Sequence, residues 1–483
     1  MHYSSSPVRH RALLHLVLIL LAVTFTRQAP ADVAAAETAL SKGDVATAFR
    51  HYEILARLGN PLAQYKAGVM LLKGQGVPQS VIDGTAWLLA ARDGGQPIDG
   101  IALDEIVAAL PADQAESARA LAEHQRNAAA ALIPPAPAAP PAPNETDHRA
   151  RLGKGKAIDK AFQDFGDAAN AQHVRIGWVV VRVLADPEGH TRDAWVIETA
   201  PDAAFGVAAV EVARRFTYEP ALSHGHAVAD SFSLMMTHAT DDVSLQNVTF
   251  KREFEARARA AAAGDTEARL TVSRLVTVFH KLFTGSDQMH AWMTDLAQQP
   301  AQARAMYFIS GTPRAEGMPK DTAEERRQWK LRAARAGFAP AQFELALESW
   351  SSGSQEGLEH AHQWLEAGAF EGYAPSMKYL AGFLLSPAVP ERNPARVAAL
   401  VEPLLEDASY KNDVDTWQIA AAASAALGQF ENAVERQNQA IKLASRCTCA
   451  SARVPDLQAR LSRLQKHEVA NEELLLIPAG GRD

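Results

Sequence analysis

The 483-residue chain carries only two cysteines, Cys447 and Cys449, so no disulfide framework can organise its fold. A ring closed over the single residue between them is strained; the pair is read either as inert thiols, as a local disulfide, or as a metal or redox site. Basic residues are not in excess: 48 Lys and Arg stand against 56 Asp and Glu, for a formal net charge of −8. They are also interleaved with acids, as in Arg252-Glu253 and Glu324-Glu325-Arg326-Arg327. That pattern describes solvated helix faces and excludes a nucleic-acid footprint. Catalytic signatures are missing as well. The chain has no His-Glu-x-x-His and no Gly-x-Ser-x-Gly, and Gly153-Lys-Gly155 lacks the third glycine and the preceding strand of a phosphate-cradling loop. Its closest histidine clusters, His224-Gly-His226 and His360-Ala-His362, are read as a solvated loop and a helix face rather than as metal ligands. No enzyme activity, metal, cofactor or small-molecule substrate is expected.

Long apolar runs are absent after residue 26. Before it, Arg9, His10 and Arg11 precede the apolar stretch Ala12 to Thr26, and Ala29-Pro30-Ala31 stands ahead of Asp32. This is the pattern of a secretory signal peptide over residues 1–31. As a helix the apolar stretch spans only about 22 Å of a hydrocarbon core about 30 Å thick, so an uncleaved inner-membrane anchor is the weaker alternative. Cleavage implies a protein soluble outside the cytoplasm, touching a membrane only if the N-terminus is retained.

What the chain does have is alanine-rich helical periodicity punctuated by glycine. A shift of 35 sets Tyr52 on Trp87, Ala56 on Ala91 and Gly59 on Gly94; in the C-terminal half it sets Trp329 on Trp364, Ala334 on Ala369, Gly337 on Gly372 and Pro340 on Pro375. A large aromatic, a small residue and a helix-ending glycine at this period describe stacked helical hairpins. Small residues let helices approach, the aromatic fills the gap to the next pair, and a left-handed glycine turns the chain. Ala63-Gln-Tyr65, Gly68, Gly74-Gln-Gly76-Val77, Trp87 and Ala90-Ala91 resemble the Sel-one-like branch of the tetratricopeptide superfamily. Trp417, Ala421, Gly428, Ala433 and Ala440 have the spacing of an ordinary tetratricopeptide unit. Two arrays are expected, over 32–130 and 242–470, with Glu253 to Phe283 as a degenerate unit of the second and 471–483 as a tail.

Proline is concentrated in Ile133-Pro-Pro-Ala-Pro-Ala-Ala-Pro-Pro-Ala-Pro143, within a Pro/Ala-rich linker over 131–150. Such density cannot continue a helix and favours an extended, semi-rigid spacer of roughly 30 Å.

Residues 151–241 read differently. A strand from Arg175 to Leu184, the turn Asp186-Pro-Glu-Gly189 and a second strand from Thr191 to Glu198 make a hairpin. A helical run from Phe205 to Val212 and a third alternating segment, Val228 to Met236, follow. Alternation turns Val179, Val181 and Val183 toward the helix and puts Trp178, Val180, Arg182 and Leu184, with Trp195 and Ile197, on the other face. That second face is too apolar to stand in water, so flanking helices or a partner must cover it.

The order β-β-α-β, with Arg214, Arg215, Phe216, Tyr218 and Pro220 at the helix exit, resembles the C-terminal domain of TonB-family energy transducers over about residues 172–240. The resemblance implies a Gram-negative periplasmic location and packing roles for those five residues. It also implies an edge strand, formed by Ala227, Val228, Ala229, Asp230, Ser231, Phe232, Ser233, Leu234, Met235 and Met236, that receives a peptide of an outer-membrane transporter. The helical repeat after Asp241 is expected to occlude that edge. The fold class expected is α+β and multidomain: mostly α-solenoid hairpin repeats around a small central β-β-α-β module. The function expected is a periplasmic, non-catalytic scaffold or adaptor for protein partners, with an atypical energy transducer, anchored by an uncleaved N-terminal helix, as the alternative.

Overall fold

A computed structural model of the protein describes residues 33–98, 100–132, 150–153, 156–223, 225–241, 243, 247–279, 286–299, 302–311, 322–387, 389, 393–446, 450–469 and 474–475. The signal peptide, the proline run, His224, Gly155, Cys447 and Cys449 lie outside these residues, as does most of the tail. By contacts the chain falls into two compact units. One comprises the described residues of 146–289 and 444–452; the other comprises those of 29–145, 290–443 and 453–483. In chain order the first interrupts the second.

The helical unit opens with α1 (Val33–Ser41), α2 (Val45–Arg57), α3 (Pro61–Lys73), α4 (Val81–Asp93), α5 (Leu103–Ala109) and α6 (Ala112–Ala131). Side chains that cannot continue a helix start the next one. Asp44 accepts from Thr47 N, Asn60 from Ala63 N and Ser80 from Asp83 N, and Pro61 occupies the first turn, where its missing N–H costs nothing. Gly68 of α3 and Gly84 of α4 mark the closest helix approach, since a Cβ at Gly68 would stand 2.9 Å from the Gly84 carbonyl oxygen. The expected aromatics are inside: Tyr52 and Trp87 are buried beside the fully buried Ala56 and Ala91. Gly59 has the expected left-handed φ of 86°, but at the second repeat this conformation belongs to Gly95 (φ 85°) rather than Gly94.

The sheet unit contains β1 (Arg151–Leu152), α7 (Lys156–Ala171), β2 (Ile176–Ala185), β3 (Thr191–Ala200) and α8 (Ala203–Ala213). It continues with β4 (Tyr218–Glu219), β5 (Ala221–Ser223), β6 (His226–Val228), β7 (Asp230–Ala239), α9 (Val248–Ala262) and α10 (Thr266–Val278). The main sheet has the order β3-β2-β7, antiparallel throughout, so the first long strand is central. Valines 179, 181 and 183 meet Phe205, Ala209, Val210 and Phe216 on one face, with Ile158, Ala161, Phe165 and Ala169 of α7 completing that core. The turn between β2 and β3 requires its glycine: Gly189 has φ 82°, and a Cβ there would lie 2.2 Å from the Tyr218 carbonyl oxygen.

The helical unit resumes with α11 (Ser286–Ala297), α12 (Ala303–Gly311), α13 (Ala323–Arg335), α14 (Ala339–Ser351) and α15 (Gln355–Phe370). It ends with α16 (Ala374–Phe383), α17 (Pro394–Glu406), α18 (Val414–Ala426), α19 (Phe430–Arg446) and α20 (Val454–Gln465). Thr322 and Glu325 form a reciprocal capping box at the start of α13. Gly337 (φ 100°) and Gly372 (φ 72°) take the left-handed turn expected of them. Trp364 is fully buried, whereas its repeat equivalent Trp329 is half-buried beneath the Arg332 guanidinium, 4.8 Å from the ring centroid.

The two arrays, separated in sequence, pack as one body. The Arg335 Nη2 donates to the Ala129 carbonyl (2.9 Å) and the Asn60 side chain to the Arg335 carbonyl (3.0 Å), while the His51 ring meets the Glu371 carboxylate at 2.7 Å. These contacts join the middle of α2 and the start of α3 to the ends of α6, α13 and α15. Burial holds the Arg335 guanidinium below the ordinary arginine range, and the bond to the Ala129 carbonyl at the end of α6 offsets part of that cost.

Two boundaries differ from those read in the sequence. Helices α9 and α10, expected to open the second array, belong by contacts to the sheet unit. The reason is chemical: α10 carries a buried cation whose partner is on β3. The arrays expected as separate domains over 32–130 and 242–470 fall, from residue 290 onward, in one unit.

Candidate functional site

The expected peptide-binding segment, 227–236, divides between two elements. Ala227 and Val228 lie in β6, paired with Leu222 and Ala221 of β5 in a separate small hairpin, and Ala229 links that hairpin to the main sheet. The long edge strand is β7, which runs past Met236 to Ala239. Its register on β2 is unbroken from Ala185↔Asp230 to Ile176↔Ala239.

The backbone of β7 has a fixed polarity. Thr240 N donates to the Arg175 carbonyl at 2.9 Å, one position beyond the Ile176↔Ala239 pair. In an antiparallel ladder the groups alternate, so even-numbered residues of β7 bond to β2, while Ser233, Met235 and Thr237 turn N–H and C=O outward. Among the described residues no strand pairs with that outer edge. The same three residues are exposed, Met235 at 51%.

The faces of β7 differ. Met236 is buried in the α7/α8 core, and Leu234 and Phe232 pack against it, the Phe232 ring 5.0 Å from Tyr218 in an edge-to-face contact. On the other face Ser233 lies opposite Arg182, Met235 opposite Val180 and Thr237 opposite Trp178. Arg182 lies along this face, its Nε donating to Ser231 Oγ at 2.9 Å and its Nη1 to Ser233 Oγ at 3.3 Å. Asp230 is the only acid of the strand; it is buried and accepts from Ala150 N at 2.9 Å.

Further across this second face the covering is internal. Trp178, Leu184 and Trp195 are buried there. Glu198, 3% exposed at its side chain, accepts from Trp178 Nε1 (2.7 Å) and binds Arg274 of α10 through Nε (2.9 Å) and Nη2 (2.5 Å). Trp178 also meets Phe279 edge to face at 6.4 Å. Sequence alternation grouped Trp195 with Ile197, but Val180 pairs with Glu198 and Val181 with Val196, so Ile197 is the extra residue of a bulge. The bulge moves Glu198 onto the Trp178 face, which is why the acid was not recognised in the sequence as part of this core. A second irregularity sets Thr191 opposite Ala185, and Thr191 Oγ1 bonds the Ala213 and Phe216 carbonyls at the end of α8.

The helix-exit residues are placed as follows. Phe216 is fully buried, 5.0 Å from Phe162. Tyr218 is buried, its N donating to the Gly189 carbonyl at 2.7 Å, and burial raises its hydroxyl pKa. Arg215 is exposed and pairs with Asp164 at 2.7 Å, Arg214 is half-buried, and Pro220 sits between β4 and β5. Among the described residues no group of three or more His, Cys, Asp or Glu could hold a metal ion, and no helix is long and apolar enough to cross a membrane.

No protein-family model matches the chain, and no curated protein matches it. Among solved structures it is similar to the crystal structure of a protective antigen present in uropathogenic Escherichia coli strains displaying an SLR fold. The identity is 15%, the TM-score 0.28, and the match covers 87% of this chain and 82% of that one. The likeness of residues 172–240 to TonB-family domains has no support in these comparisons.

Proposed function

We propose that this protein is a non-catalytic interaction scaffold of the periplasm, whose TonB-C-like module takes up an extended segment of another envelope protein along β7. The observation that carries this reading is the outer edge of β7. It is a ten-residue strand with an unbroken register on β2, whose exposed positions Ser233, Met235 and Thr237 turn N–H and C=O groups toward no other strand among the described residues, with no proline, bulge or exposed charge to discourage pairing. The helical repeats supply the support and a broad surface for dispersed contacts. The order β-β-α-β in the main sheet is what favours a transporter segment as the guest.

The test uses the full chain and synthetic peptides of about ten residues taken from periplasm-facing segments of outer-membrane transporters, a length matched to the strand. Binding is followed by amide hydrogen exchange. Slowed exchange at Ser233, Met235 and Thr237, lost in Met235→Pro, supports the reading. Binding that leaves these amides unchanged and survives Met235→Pro overturns it.

A further inference from the structure

We infer that the helical unit has a docking site for a non-helical segment with two adjacent leucines, centred on Gly382 of α16 and held in this chain by its own Leu475. A partner polypeptide of the same chemistry enters by taking the place of that tail. The site is independent of the β7 edge.

The observation that points to it is a side chain missing from the repeat. The 35-residue shift that sets Trp329 on Trp364 also sets Leu347 on Gly382. The equivalent position of the first array is Val69, a registration fixed by two glutamines. Gln64 Nε2 and Gln342 Nε2 each donate to the carbonyl eight residues earlier, of Ala56 at 3.2 Å and of Ala334 at 3.0 Å. Leu347 is buried, and Val69 packs partly buried against the core of its array. Where two repeats carry a branched apolar side chain the third therefore has none, although glycine inside a helix is less favourable than either.

Leu475 fills the gap. A Cβ on Gly382 would stand 2.9 Å from Leu475 Cγ and closer still to its Cδ1, whereas the next atom, Ile419 Cδ1 of α18, is at an ordinary 3.6 Å. Leu474 and Leu475 are both more than nine-tenths buried and lie outside any helix or strand. The notch is thus shaped for a leucine that arrives from another segment. The chain leading to this seat from α20, Lys466 to Val469, is exposed. Burying two leucine side chains yields about as much as ordering a few residues of backbone costs, so the seat can exchange its occupant.

The probe is a fluorescent synthetic peptide of residues 471–477, titrated by anisotropy against the full chain to about 1 mM. A tethered tail competes at an effective concentration of about 1 mM, which weakens a free peptide of about 100 µM affinity about tenfold. Leu475→Ser, which empties the notch, should therefore bind the peptide about tenfold more tightly than the wild type. Gly382→Leu restores the side chain that the preceding repeat carries at Leu347. Added to Leu475→Ser it should abolish binding, and a peptide with serine in place of both leucines should not bind in either background. In the otherwise unaltered chain Gly382→Leu should expel the tail. Amide hydrogen exchange at Leu474 and Leu475 then speeds up, while circular dichroism and the melting temperature show the helices intact.

A peptide that fails to bind Leu475→Ser up to about 1 mM overturns the inference, as does one that binds it no better than the wild type or still binds after Gly382→Leu. If Leu475→Ser does not fold, the exchange measurement decides: a tail as well protected in Gly382→Leu as in the wild type overturns the inference. None of these results bears on binding at β7.

Discussion

The indole Nε1 of Trp364 donates to the backbone carbonyl of Leu132, a residue 232 positions earlier, at 3.3 Å. Leu132 is the C-cap of α6, and its carbonyl is one of the last-turn acceptors that an isolated helix leaves unsatisfied. With Arg335 bonding Ala129 in the same turn, the end of the first array is capped by side chains of the second.

Trp364→Phe should therefore cost more than its lost volume. It removes the donor to a buried carbonyl, and about 1–3 kcal/mol is expected from that alone. The same change at the half-buried repeat equivalent, Trp329→Phe, should stay within about 0.5 kcal/mol, the range of surface substitutions. Urea unfolding of the two variants side by side checks the difference; equal losses would show that the Leu132 bond contributes nothing.

The Glu198–Arg274 pair yields a second prediction. Both side chains are nearly inaccessible, and Glu198 also satisfies the Trp178 indole. Arg274→Met leaves a buried carboxylate without its cation and should destabilise the sheet unit by about 3–5 kcal/mol. In the background of Glu198→Gln the same substitution should cost much less, because the stranded charge is gone. A double-mutant cycle followed by tryptophan fluorescence measures the coupling, and additive losses would mean that the pair is not a unit.

The hairpin repeats were legible in the sequence because their signals are local and recur. Tyr52, Trp87 and Trp364, with Gly59, Gly337 and Gly372, are placed by the 35-residue period, and each does what a stacked hairpin requires of it. The β-β-α-β order was legible for the same reason, since Asp186-Pro-Glu-Gly189 and the valine alternation are short-range patterns. Three features were not. The bulge at Ile197 shifts the alternation by one residue, which no period reveals, and so hid Glu198. The allegiance of α10 is decided by Arg274 meeting an acid 76 positions away. The joining of the two arrays depends on Arg335 and Trp364 reaching carbonyls, and a carbonyl has no sequence signature. At the site itself, alternation found the face of the first strand that carries Trp178, Val180 and Arg182, but the boundary between β6 and β7 depends on how β5 and β6 pair.

Adjacent positions of β7 should answer to proline in opposite ways. At Met235 the N–H points away from β2, so Met235→Pro should change stability by less than about 1 kcal/mol, as edge prolines are tolerated. At Met236 the N–H bonds to β2 and the side chain is buried in the α7/α8 core, so Met236→Pro should cost about 3 kcal/mol or more. Thermal melts of the two variants decide the matter. A reversed order would mean that the hydrogen-bond polarity of the strand is the opposite of that assigned.

His238, half-buried on the α7/α8 side of β7, gives the sheet unit a defined acid response. Burial lowers its pKa from the usual imidazole value near 6.5, and a hydrogen bond to the Val174 backbone opposes this only in part. Between the depressed folded value and about 6.5 the unfolded chain binds a proton that the folded chain refuses, so falling pH favours unfolding. The contribution is fully present above about pH 6.5 and is lost as the pH drops through that window. His238→Gln removes the titration while keeping a hydrogen-bonding side chain of similar reach. Urea midpoints measured at pH 7.5 and at pH 5.5 should differ less in this variant than in the wild type, because other titrating groups contribute equally to both. An unchanged difference would place the acid sensitivity of the unit elsewhere, and a larger one would mean that the folded state holds the charged imidazole more tightly than the unfolded chain does.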